Sequence, residues 1–105
     1  MCGGPSQQDT LDQTLPVGVD PATATILQGR VVRDGEPVPS AYVRLLDETG
    51  DFTAEVVASG TGAFRFYAAP GRWTIRALSS AGTGQQTVDA GYGFTETQVD
   101  VGPLP

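Results

Sequence analysis

The chain reads as all-β: a seven-stranded β-sandwich behind a flexible N-terminal arm. Two observations predict this. In Phe64-Arg65-Phe66-Tyr67 and in Trp73-Thr74-Ile75-Arg76-Ala77-Leu78, apolar residues alternate with polar or outward ones on either side of Pro70-Gly71. Such a period of two belongs to strands with one face buried. Turn signals then recur about every 8–12 residues with no helical periodicity, the profile of a sandwich. At 105 residues the chain holds one domain plus a tail.

Residues 1–23 contain Gly3-Gly4-Pro5, then Ser, Gln, Asp and Thr with Pro16 and Pro21, and show no sustained periodicity. They are expected to form a flexible arm, with the domain spanning residues 24–105. Order is expected from about Thr25. In Leu27-Gln28-Gly29-Arg30-Val31 the positions Leu27, Gly29 and Val31 face inward, and a strand glycine marks a close backbone approach. Asp34-Gly35 turns the chain, and Pro37 and Pro39 confine the next passage to loop or sheet edge.

The second strand, Ala41 to Asp47, points Ala41, Val43 and Leu45 inward, and Glu48-Thr49-Gly50-Asp51 forms a hairpin loop. The third, Phe52 to Ala58, is expected to point Phe52, Ala54 and Val56 inward. Pairing Asp47 with Phe52 sets Arg44 opposite Glu55. After the two aromatic strands, residues 79–84 read as a loop. A weak strand near 85–88, an aromatic loop over 91–94 and a strand near 96–101 complete the count. Phe64, Phe66, Trp73, Ile75, Val43, Leu45, Val56 and Val31 are expected to be buried together.

Composition excludes several functions. The chain has no His, Lys or Asn, and its net charge is −6. Residues 30–76 carry all six Arg against six acids, so the surplus negative charge lies at Asp9, Asp12, Asp20, Asp89, Glu96 and Asp100. An acidic periphery repels phosphate backbones and anionic lipid, so neither nucleic acid nor a membrane surface is an expected partner. Without His, no Ser/His/Asp or Cys/His constellation can be assembled, and the chain is not expected to be an enzyme or to hold a cofactor. The acids Asp47, Glu48 and Asp51, with Asp34 and Glu36, do not match a calcium loop, and no metal is expected. Tyr67, Tyr92 and Phe94, where exposed, offer rings to a sugar or a partner.

One cysteine, Cys2, excludes an internal disulfide. No apolar run approaches 18 residues and none precedes Cys2, so neither a membrane span nor a signal peptide is expected, and the compartment is read as cytoplasmic. A lipid-anchored surface protein expressed with an added Met would also begin Met-Cys-Gly. That alternative makes the chain a carbohydrate- or protein-binding module. Removal of Met1 would leave the Cys2 thiol, of pKa about 8.5, beside an α-ammonium. That neighbour favours the nucleophilic thiolate.

The string Gly29-x-Val31, Asp34-Gly35-x-Pro37-Val38, Ala41-x-Val43-x-Leu45, Gly62-x-Phe64-x-Phe66 and Pro70-Gly71-x-Trp73-x-Ile75 resembles carboxypeptidase regulatory-like, or transthyretin-like, domains. These are seven-stranded Ig-like sandwiches. The resemblance implies that residues 69–72 arch between two sheets; the local sequence alone reads as a hairpin with a type II turn. It also implies that the strand of Arg76 flanks that of Arg44, making Arg44 and Arg76 a candidate anion seat for sulfate or thiosulfate.

More of the chain is similar to an actinobacterial family of unknown function, sometimes called SseC-like. That similarity rests on the Met-Cys start, Val43-Arg44-Leu45-Leu46-Asp47, Phe52-Thr53-Ala54-Glu55-Val56-Val57, and the stretch from Phe64 to Leu78. Members commonly lie beside rhodanese-type thiosulfate sulfurtransferases. The resemblance implies an accessory role in sulfur metabolism, such an enzyme as partner, and Cys2 as the candidate acceptor of sulfane sulfur. It supplies no catalytic residue.

Overall fold

The computed structural model describes residues 13–102. Eight strands follow one another: β1 (Thr25–Arg33), β2 (Glu36–Pro37), β3 (Tyr42–Leu46), β4 (Phe52–Val57), β5 (Ala63–Ala68), β6 (Gly71–Ser79), β7 (Gly82–Ala90) and β8 (Gly93–Asp100). They form two four-stranded sheets. In the first, β1 pairs antiparallel with β5 and, at its last two residues, with β2, while β8 runs parallel to it. The second has the order β4-β3-β6-β7, antiparallel throughout.

The expected sandwich is therefore present with one strand more than the seven counted. The extra strand is β2, whose Pro37 cannot donate to a ladder and sits, as proline must, on a short edge. The core lies between the sheets, built from Leu27 and Val31 of β1, Val43 and Leu45 of β3, Phe64 and Phe66 of β5, Ile75 and Ala77 of β6, and Val99 of β8. Phe64 and Phe66 meet with ring centroids 6.1 Å apart, tilted by 50°, a favourable aromatic geometry. Trp73 and Val56, expected inside with them, are half-buried and pack against the rim of this core.

β5 and β6 belong to different sheets, so the chain arches between layers at Ala69-Pro70. The hairpin alternative is excluded. Gly71 has a φ of 148°, opens β6 and pairs with Ala90, instead of taking the third position of a type II turn. The Trp73 indole donates to the Ala69 carbonyl at 2.8 Å and ties down the arch.

Two further expectations need correction. Between Leu45 and Leu46 the ladder shifts: Arg44 faces Glu55 and Leu45 faces Ala54, but Leu46 faces Phe52. This bulge inserts one residue into β4 and reverses the parity beyond it. Phe52 therefore lies on the outer face, 63% exposed. Residues 79–84, read as a loop, are mostly strand, with only Ser80 and Ala81 turning between β6 and β7. Their glycines are there for space: a Cβ on Gly82 would meet the Gly102 carbonyl oxygen at 1.7 Å. There the segment that follows β8 crosses to β7, where Thr83 and Gly102 exchange two backbone hydrogen bonds of 3.0 Å. Finally, β1 is buried on both faces. Ile26, Gln28 and Val32 are covered as fully as Leu27 and Val31. Gly29 behaves as expected, since a Cβ there would lie 1.7 Å from the Thr97 carbonyl oxygen.

Candidate functional site

Alternation along β3 puts Tyr42, Arg44 and Leu46 on the outer face of the second sheet, and register places their neighbours. Three rows result. Val57, Tyr42, Leu78 and Thr83 form one; Glu55, Arg44, Arg76 and Gln85 the next; Phe52, Leu46, Thr74 and Thr87 the third. Tyr42 and Val57 are exposed on one side of the charged row and Phe52 on the other, so apolar surface flanks that row on both sides.

Arg44 and Arg76, the candidate anion seat, are thus direct cross-strand partners. Each turns away from the other. Arg44 Nε donates to Glu55 Oε2 at 2.7 Å, and Arg76 donates from Nε and Nη2 to Gln85 Oε1 at 3.2 and 3.1 Å. Like charges opposite one another repel, and the splayed guanidiniums are the relaxed response. Beyond the third row Arg72 pairs with Asp89 at 2.9 Å. That hydrogen bond, with the charge of Arg72, holds the Asp89 carboxyl below its ordinary value and raises Arg72 above its own.

At one end of the sandwich, the β1–β2 hairpin and the segment to Ser40 stand apart from the β6–β7 turn. Between them lies a cleft of about 580 Å³, walled by Pro37, Pro39, Tyr42 and Leu78 with Arg33 and Glu36 at its polar side. The Arg33 guanidinium donates from Nη1 to the Ala81 carbonyl and straps the two walls together. Tyr42 and Leu78 belong to both the cleft and the outer face, so the two surfaces are continuous.

The outer face of the first sheet is different. Gln28 is 2% exposed there. Its carbonyl oxygen accepts from Arg65 Nε at 2.8 Å and its amide donates to Glu96 Oε2 at 3.0 Å. Gln13 donates to the same Glu96 oxygen at 3.2 Å, and the Thr14 carbonyl accepts from Arg65 Nη1 at 2.6 Å. Gln13 and Thr14 fall in the stretch read as arm, and both are bonded to the sheet. Cys2 lies outside the described residues.

Asp47 and Asp51 work within the β3–β4 turn. Asp47 Oδ1 accepts from the Thr49 hydroxyl at 2.7 Å and from the amides of Thr49 and Asp51, and these bonds hold its carboxyl below the ordinary value. Among the described residues no group of three or more His, Cys, Asp or Glu is placed to hold a metal ion. Of the aromatic candidates, Tyr67 and Tyr92 are exposed and Phe94 half-buried. Tyr67 and Phe94 flank Ile26 on the first sheet, while Tyr92 stands apart on the β7–β8 turn. Sequence reasoning missed Tyr42, Gln28, Thr83 and Gln85 as surface determinants. Continuing the alternation of β6 through the 79–84 glycines would have found the last two.

Residues 2–101 match a family described as a protein of unknown function, DUF1416. The uncharacterized proteins Rv0814c and Rv3118 of Mycobacterium tuberculosis are each 53% identical over 103 residues, covering 96% of this chain and 99% of theirs. An uncharacterized protein of Mycolicibacterium smegmatis is 57% identical over 89 residues, covering 83% of this chain and 99% of its own. Among solved structures, a DUF3823 family protein from Parabacteroides merdae superposes with a TM-score of 0.61 at 21% identity, over 76% of this chain and 46% of that one. GBS52, the minor pilin of Streptococcus agalactiae, gives 0.56 at 14% identity, over 79% of this chain and 47% of its own. The chain thus spans about half of each solved protein, and these two likenesses concern the fold.

Proposed function

This chain belongs to the DUF1416 family of proteins of unknown function, and from that premise we propose that it is a non-catalytic accessory protein of sulfur metabolism, acting in the cytoplasm by binding a partner. The partner is a rhodanese-type thiosulfate sulfurtransferase, and Cys2 accepts or carries its sulfane sulfur. The observation that supports binding is the outer face of β4-β3-β6-β7, where Tyr42 and Val57 are exposed in the row that borders the 580 Å³ cleft and Phe52 is exposed beyond the charged row. Large exposed apolar side chains gathered on one face mark interaction surfaces. Composition supports the non-catalytic reading, since a chain without His lacks the side chain that most often moves protons in catalysis. The sulfur link rests on the SseC-like resemblance, and we read the sandwich as transthyretin-like on the same footing.

The test is complex formation between the full chain and a purified rhodanese-type sulfurtransferase, followed by calorimetry. Saturable binding weakened at least tenfold in Tyr42→Ser/Val57→Ser is the expected result. No heat and no co-elution at concentrations where both proteins remain folded would contradict the proposed partner.

A further inference from the structure

We propose that Arg76, Thr83 and Gln85 form a seat for a small oxyanion on the outer face of the second sheet, with Arg44 supplying a second positive charge one strand away. This goes beyond the role assigned to Cys2 and does not depend on it.

In the β6–β7 register Arg76 faces Gln85 and Leu78 faces Thr83, so Arg76, Gln85 and Thr83 project from the same side of the ladder. Together with Gly84 they line a shallow hollow of about 150 Å³, several times the ~30 Å³ that one water occupies in the liquid. Every polar group there offers a donor. Gln85 turns its carbonyl oxygen to Arg76, which leaves its NH₂ for a ligand. Arg76 Nη1 and the Thr83 hydroxyl have no hydrogen-bond partner among the described residues. No carboxylate lies within ion-pair distance of Arg76 among the described residues.

Charge then decides the sign of the ligand. The row reads Glu55, Arg44, Arg76, Gln85, so one cation is balanced and one is not. Two Arg placed directly opposite cost stability unless an anion offsets them. Guanidinium bound to a carboxylate or a sulfur oxyanion gives the short, charge-assisted bonds that this donor set is shaped to make. A side-chain carboxylate of a partner and a free sulfate-type anion share that chemistry.

The experiment is an amide NMR titration of the full chain with sodium acetate, sulfate and thiosulfate, against chloride at equal ionic strength. Saturable shifts confined to β6 and β7 around Arg76, Thr83 and Gln85 are expected, and Arg76→Gln should abolish saturation. Thr83→Val should weaken binding several-fold. Glu55→Gln, which frees Arg44, should tighten it several-fold, a change opposite to that of damage to the fold. Arg72→Gln, already paired with Asp89, should leave it unchanged. Saturation by acetate assigns the seat to a carboxylate-bearing partner, and saturation by the tetrahedral anions alone assigns it to a free sulfur oxyanion. Linear shifts matching chloride, or saturation that survives Arg76→Gln, would overturn the proposal. Should Arg76→Gln fail to fold, the opposed effects of Thr83→Val and Glu55→Gln decide, and their absence counts against it.

Discussion

Gln28 sits on the outward parity of the central strand, yet only 2% of it reaches solvent. A buried amide is tolerated because both its ends are bonded, to Arg65 and to Glu96. Gln28→Leu keeps the volume but removes the acceptor of Arg65 and a donor to Glu96, and losing a hydrogen bond to a charged group costs about 1.5–3 kcal/mol. Urea denaturation should register that loss; a neutral result would mean that water replaces Gln28. The two phenylalanines Phe66 and Phe52 make a sharper pair. Phe66 is 3% exposed in the core, so Phe66→Ala should cost about 3–5 kcal/mol. Phe52→Ala, at an outer-face position, should change stability by about 0.5 kcal/mol or less. Parity identified Phe66 correctly because its strand is regular. It failed at Phe52 because a single inserted residue reverses every side chain beyond it, and no residue type in 45–53 announces the insertion. Arg44 opposite Glu55 was legible for the complementary reason, since that pair lies on the regular side of the bulge.

At the scale of elements, the β3–β4 turn shows what holds a hairpin together once its strands have shifted. Asp47 accepts three bonds from within the turn, and its carboxyl is lowered chiefly by the Thr49 hydroxyl and then by the Asp51 amide. A lowered carboxyl adds stability that is complete above the ordinary carboxylate pKa and disappears as pH falls through the folded value. Asp47→Ala should therefore melt below the wild type at neutral pH, and the gap should close in acid as Asp47 protonates. A gap independent of pH would assign the effect to the backbone instead of the charge. Elsewhere the arch at Ala69-Pro70 was read from resemblance, since Pro70-Gly71 serves a hairpin equally well by local rules. The β6–β7 pair was only half legible. Gly82 and Gly84 signal a loop by composition, but their reason is tertiary, the approach of Gly102 and Asp100 from the other sheet. Gly82→Ala should consequently unfold this edge first, visible as early loss of amide protection along β7. Protection unchanged from the wild type would contradict the close approach.

Over the whole molecule, the two outer faces divide the work. The first sheet buries a satisfied polar network and receives Gln13 and Thr14; the second leaves an apolar and arginine-bearing surface open beside a cleft. An acidic chain of net charge −6 keeps this face as its balanced or positive part, which suits a ligand that carries carboxylates. The sandwich itself was legible from alternation and turn spacing; the open face was not, because exposure depends on which sheet remains uncovered. Cys2 connects to this frame through Gln13. Eleven residues of chain reach at most about 36–40 Å when extended, and we propose that this span lets the thiol enter the cleft of a bound enzyme. There the Cys2 thiolate would attack the outer sulfur of the enzyme persulfide, taking that sulfur as a new persulfide and releasing the enzyme's own thiolate. Intact mass of the full chain after incubation with a rhodanese-type sulfurtransferase and thiosulfate tests this most directly. The expected result is a gain of one sulfur atom that reductant removes and that Cys2→Ser never shows. An unmodified chain, under conditions where the enzyme turns over a small-molecule acceptor, would contradict it.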